Sequence, residues 1–163
     1  MGWRNGGTPK VTYSSWDPET HISEVHTYSD KYGVFKASVT TDPEDYDIEN
    51  RWDGCRIANY KCHIKYLKAH YKTLYERYLA QKHMLSVFIN AFSFGDELSQ
   101  KHLAHLVRQV NIAHREYKVA LGEYNKWVGD YAEFIDHTLK SRREVRDTLS
   151  TAIRDTLSTV AEN

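Results

Sequence analysis

Residues 60–92, YKCHIKYLKAHYKTLYERYLAQKHMLSVFINAF, decide the fold. Their bulky side chains recur at alternating steps of three and four: Tyr60, Ile64, Leu67, Tyr71, Leu74, Tyr78, Leu85, Phe88 and Phe92, with Gln81 the one polar member. That alternation is a heptad seam, the pattern of a helix packed lengthwise on another helix. A second series follows at Leu103, Leu106, Val110, Ala113, Tyr117, Ala120, Tyr124, Trp127, Tyr131 and Phe134. If the chain folds back at Phe94-Gly95, the two series face each other with residue numbers summing to about 191. Size then complements size: Tyr78 meets Ala113, Tyr71 meets Ala120, and Leu74 meets Tyr117. Large against small is how facing helices interdigitate. The sequence predicts a mainly α protein built on a long antiparallel, coiled-coil-like helical hairpin.

Working outward, composition changes near residue 42. All three prolines and four of the eight glycines lie at or before residue 43. Residues 1–42 read as an N-terminal extended arm, loop-like over residues 1–20, with a small β-ribbon at 22–40. In that ribbon Ile22 to Tyr28 turns at Ser29-Asp30-Lys31 into Tyr32 to Thr40. Asp42-Pro43-Glu44-Asp45 is a strong helix start, with a side-chain acceptor, a first-turn proline and acids at the positive dipole end. Gly54 is expected to kink or split that helix. The helical hairpin spans 43–140, turning near 94–96, where Gly95 suits a left-handed terminating residue and Asp96 a cap.

Two features exceed a simple hairpin. The second helix carries an extra apolar stripe at Val107, Leu121, Val128, Ile135 and Leu149, wider than one partner helix covers. Gly122 and Gly129, seven apart and off the seam, suit the close approach of another backbone as well as simple tolerance. Beyond Thr138 the seam lapses, and Arg146-Asp147-Thr148-Leu149-Ser150-Thr151 recurs at 154–159. There Val145, Leu149, Ile153 and Leu157, with Val160 just beyond, form a thin stripe. The helical tail, 141–163, has no evident partner in its own chain, so it is expected to oligomerise or dock.

At 163 residues a single domain with a real core is expected. Lys plus Arg and Asp plus Glu number 22 each, so net charge gives no support for dedicated nucleic-acid binding. Cys55 and Cys62 lie about 10 Å apart along one helix, too far to bridge, and read as free thiols of a reducing compartment. Nothing at the start of the chain resembles a signal peptide, and the longest near-apolar run, 84–94, is too short to span a bilayer. The expectation is a soluble protein, cytoplasmic or within a viral particle.

No constellation rises to a chemistry. Glu133 and His137 are four apart, not the Glu-x-x-His of di-iron bundles, and neither His102 with His105 nor Cys55, Cys62, His63 and His70 has zinc spacing. Neither metal nor cofactor is expected. His63, His70 and Arg77 are placed to donate to buried tyrosine hydroxyls. With no nucleophile elbow, phosphate loop or paired-carboxylate setting, no catalytic residue is assigned and an enzyme is not expected.

Lys61, Lys65, Lys68 and Lys72 share one face and form a possible polyanion site. Acids of the first 47 residues, eight against four bases, are an equally ready partner for them. At the bend, Phe88, Phe92 and Phe94 with their aliphatic neighbours exceed what two helix ends bury, marking a docking surface or, less favoured, a membrane-interface contact. The expected function is a non-enzymatic structural or assembly protein that oligomerises through long helices. It would bind itself or other structural proteins within a larger particle such as a phage or virus. A nucleic-acid-associated coiled coil and a membrane-interacting hairpin are the alternatives.

Overall fold

The computed structural model describes residues 8–91 and 96–161, excepting the side chains of residues 156 and 158–161. The protein is mainly helical. A three-stranded antiparallel sheet, β1 (Lys10–Asp17), β2 (Ile22–Ser29) and β3 (Gly33–Thr40), is followed by a short 3-10 helix at Pro43–Ile48. Two long helices complete the chain, α1 (Arg51–Ala91) and α2 (Glu97–Ala161). The chain divides into two compact units: residues up to His63 with those from Val128 onward, and Ile64–Trp127.

In the first unit the strand order is β1-β2-β3. The expected ribbon is present as β2 and β3, paired from Ile22↔Thr40 to Ser29↔Gly33. The turn closes on Gly33 at φ 77°, a left-handed value that glycine adopts without steric cost. The arm differs from expectation. Residues 10–17 are extended, but they pair with β2 as an edge strand, from Lys10↔Tyr28 to Asp17↔Ile22, with a register shift between Val11 and Tyr13. The connection is held by Asp17, whose carboxylate accepts from Glu19 N (2.9 Å) and Thr20 Oγ1 (2.7 Å). Pro18 presets the turn.

The sheet meets α1 through small side chains. Ser23, Val25, Thr27 and Ser29 on β2, with Ala37 on β3, are buried, as are Ala58 and Cys62 on α1. Val25, Ala37, Ala58 and Cys62 form the core cluster, flanked by Phe35, Val39 and Cys55. Gly54 does not split the helix. A Cβ there would fall 2.0 Å from Ser23 Oγ, so its glycine serves the close approach of helix to sheet. The break lies earlier, at Glu49-Asn50. Asp42 does cap as expected, accepting from Glu44 N (3.1 Å), but it caps the 3-10 helix. α1 restarts on Asn50, whose Oδ1 accepts from Asp53 N (2.9 Å) while its Nδ2 donates back to Asp53 Oδ2 (2.8 Å). That reciprocity satisfies an orphan amide at the new helix start.

In the second unit the burial pattern follows the expected apolar positions. Between residues 72 and 91, those drawn out of solvent are 74, 78, 81, 85 and 88. Every expected position from Leu103 to Trp127 is buried or half-buried. Ring contacts Tyr71–Tyr124 (5.0 Å), Tyr75–Tyr117 (4.9 Å) and Phe88–His102 (4.7 Å) run antiparallel. Ala113 and Ala120 are almost wholly buried, the small partners that make room for the rings. Asp96 caps α2 as expected, accepting from Ser99 N (2.7 Å) and Ser99 Oγ (2.6 Å). The bend at Phe92, Phe94 and Gly95 lies outside the described residues.

Candidate assembly interface

The start of the tail is anchored within its own chain. Arg143 donates from Nε and Nη2 to the two oxygens of Asp45 (2.9 and 2.7 Å). The Arg143 hydrogen bonds hold the buried Asp45 carboxyl below its ordinary value against the opposing effect of burial. Arg142 Nε donates to Asp53 (2.8 Å), and Arg146 Nη1 reaches the Glu44 carbonyl (3.2 Å) and Asp47 (3.5 Å). The expectation of a tail without an intrachain partner is therefore corrected over residues 142–146. Of the acids in the N-terminal segment, Asp45 and Asp47 pair with these arginines.

A second polar knot fixes the same region. Glu49 accepts from Trp16 Nε1 (2.8 Å) and Thr41 Oγ1 (3.0 Å), and His21 Nδ1 lies 2.5 Å from its other oxygen. Burial pushes the Glu49 carboxyl up, but these bonds outweigh it and hold it below the ordinary value. His21, itself at φ 56°, stacks on Tyr46 at 3.5 Å. One carboxylate thus ties together β1, the β1–β2 turn and the end of β3.

Past this clamp the apolar stripe has nothing over it among the described residues. Val145, Leu149, Ile153 and Leu157 are 57%, 59%, 60% and 65% exposed. The Val160 side chain lies outside the described residues. Val145, Leu149 and Ile153 border a shallow groove whose other wall is Asp47–Asn50, with Ile48 its apolar member. On the extra stripe Val107 and Val128 are exposed like Leu149, whereas Leu121 and Ile135 are half-buried. Gly122 and Gly129 have nothing within 4 Å of an added Cβ, so no backbone among the described residues approaches them.

The remaining expected positions scatter. Phe88 is buried in the seam against His102, and it does not contribute an exposed tip. Phe92 and Phe94 lie outside the described residues, while Met84, Val87, Ile89 and Leu98 near them are exposed. Lys61 is half-buried, its Nζ donating to the Ser38 carbonyl (3.4 Å); Lys65, Lys68 and Lys72 are exposed. Arg77 bonds Glu116 (2.8 Å), not a tyrosine hydroxyl, and His70 stacks on Tyr66. Both cysteines are free thiols, and the Cys62 thiol donates to the Val25 carbonyl (3.2 Å). Among the described residues no group of His, Cys, Asp and Glu is placed to hold a metal, and no helix is long and apolar enough to cross a membrane.

Two features escape the sequence reading. The arginine clamp joins residues about a hundred apart, but the close grouping of Arg142, Arg143 and Arg146 opposite an acid-rich segment was a usable signal. Trp52, 77% exposed at the start of α1, was hidden by the expected break at Gly54. The chain matches no family model, and neither the curated proteins nor the solved structures contain a match to it.

Proposed function

We propose that the protein is a non-enzymatic structural or assembly component that self-associates through its long helices. In this reading α1 and α2 form a coiled-coil-like antiparallel hairpin, and the tail is the adhesive part. The observation that carries the proposal is the exposed stripe Val145, Leu149, Ile153 and Leu157 on a helix already anchored by three arginines. A held helix loses little further conformational freedom on docking, so its exposed apolar area is converted into affinity with less loss. The exposed Val128 and the open face of Gly129, in the same unit as the tail, add further surface that a partner can cover. The setting we assign is a larger particle such as a phage or virus structural assembly, by analogy of architecture. Light scattering after size exclusion tests this. A defined oligomer supports it, and a monomer at all concentrations, alone and with candidate partner proteins, removes it.

The second reading is binding of a polyanion. It is favoured by the exposure of Lys68 and Lys72, which have no carboxylate partner among the described residues. Nucleic-acid binding that weakens steeply with salt and is lost on Lys68→Glu with Lys72→Glu supports it; no binding at low salt removes it.

A further inference from the structure

The first unit has a partly open cavity of about 240 Å³ walled by β3, the 3-10 helix, α1 and α2. Its body is apolar, with Val39, Ile48, Ile57, Ile135 and Leu139 among the lining side chains. Six charged side chains also reach it, and five have a counter-charge. Asp45 holds Arg143, Asp53 holds Arg142, Glu49 faces His21, and the Asp42 charge is felt by Arg143. Lys61 is the exception. Its ammonium donates to one carbonyl, Ser38 at 3.4 Å, and has no carboxylate within reach among the described residues.

An ammonium with spare N–H donors beside an apolar space is a site for a negative group. The carboxylates of the wall already hold donors, so a cationic ligand finds no acceptor of comparable strength. The space sets the size. Dry apolar cavities of about 150 Å³ take a benzene ring, so this one accommodates a ring or short chain with a small acidic group attached. We propose that the cavity is a binding site for a small apolar carboxylate, its hydrocarbon body against Ile57, Ile135 and Leu139 and its carboxylate on Lys61. The proposal does not rest on self-association, although Ile48, Glu49, Asn50 and Arg142 border both this cavity and the tail groove.

Methyl NMR of the full chain tests it with three probes: phenylacetate, toluene and benzylamine. Phenylacetate is expected to shift the Ile57 and Ile135 methyls at millimolar concentration, toluene to shift them more weakly, and benzylamine to leave them unmoved. Lys61→Met is expected to weaken phenylacetate about tenfold while leaving toluene unchanged, as removal of a charge-assisted hydrogen bond does. Leu139→Trp fills the space and is expected to abolish both responses. Where circular dichroism shows that this variant is misfolded, Ile135→Phe replaces it. Unmoved methyls with phenylacetate, a response to benzylamine in its place, or phenylacetate binding indifferent to Lys61→Met would each overturn the proposal.

Discussion

The same two helices are held differently in the two units. From Ile64 to Trp127 they pack on each other, and rings and small residues alternate along one seam. From Arg51 to His63 and beyond Val128, α1 turns Gly54, Ala58 and Cys62 to a sheet, while α2 is fastened by ion pairs. A seam between two helices has one solution, so its periodicity announces it. A helix facing a sheet must present small residues on one side and a second partner on another, and each contact is set by a distant segment. Local pattern carries the first arrangement and loses the second.

Substitutions can break that contrast. The largest expected effect is at Gly54, where any side chain meets Ser23. Gly54→Val should destabilise the first unit by about 3 kcal/mol, measured by denaturant unfolding. A neutral result would mean that helix and sheet are not in close contact. Next comes Ala120→Leu, which overpacks an almost wholly buried seam position expected to face Tyr71, at a cost of about 2 kcal/mol. If unfolding is unchanged, the register is wrong.

Acid separates the units further. Asp45 and Glu49 have folded carboxyl values below their unfolded ones. Their contribution is complete above about pH 5 and drains away as pH falls through the lowered folded values. Glu123 in the second unit runs the other way. Burial raises its carboxyl, and its Oε2 has no hydrogen-bond partner, so acidification relieves a cost. The cap Asp96 is lowered and works against that relief. Amide exchange should therefore show the first unit losing more protection than the second below pH 4. Equal loss would contradict the division of electrostatics drawn here.

The smallest effect sharpens the picture of the glycines. Gly122→Ala and Gly129→Ala meet open space and should each stabilise α2 by up to about 1 kcal/mol, seen in thermal unfolding. If they lower the oligomeric mass while stabilising the helix, those faces belong to the interface. Unaltered mass makes them tolerated positions only.

What was legible follows from range. The spacing of Leu74, Tyr78, Leu85 and Phe88 against Leu106, Ala113 and Tyr117 specified the seam because each residue's burial repeats its neighbours'. Asp96 as a cap and the β2–β3 ribbon were local and readable. β1 was not, because glycine and proline nearby suggested a loop. Yet Val11 to Trp16 followed by Asp17-Pro18 is a strand and a turn once β2 is there to pair. The clamp of Arg143 on Asp45 and the knot around Glu49 span separations that no periodicity encodes. The cavity beside Lys61 has the same origin, since its walls come from four elements.

The central claim is that the seam is satisfied within the chain while the tail stripe is not. Its most direct test is the solution mass of Leu149→Asp with Leu157→Asp beside the wild type, by light scattering after size exclusion. The account predicts an oligomeric wild type and a lighter variant with nearly unchanged helix content. An identical mass for the two would contradict it.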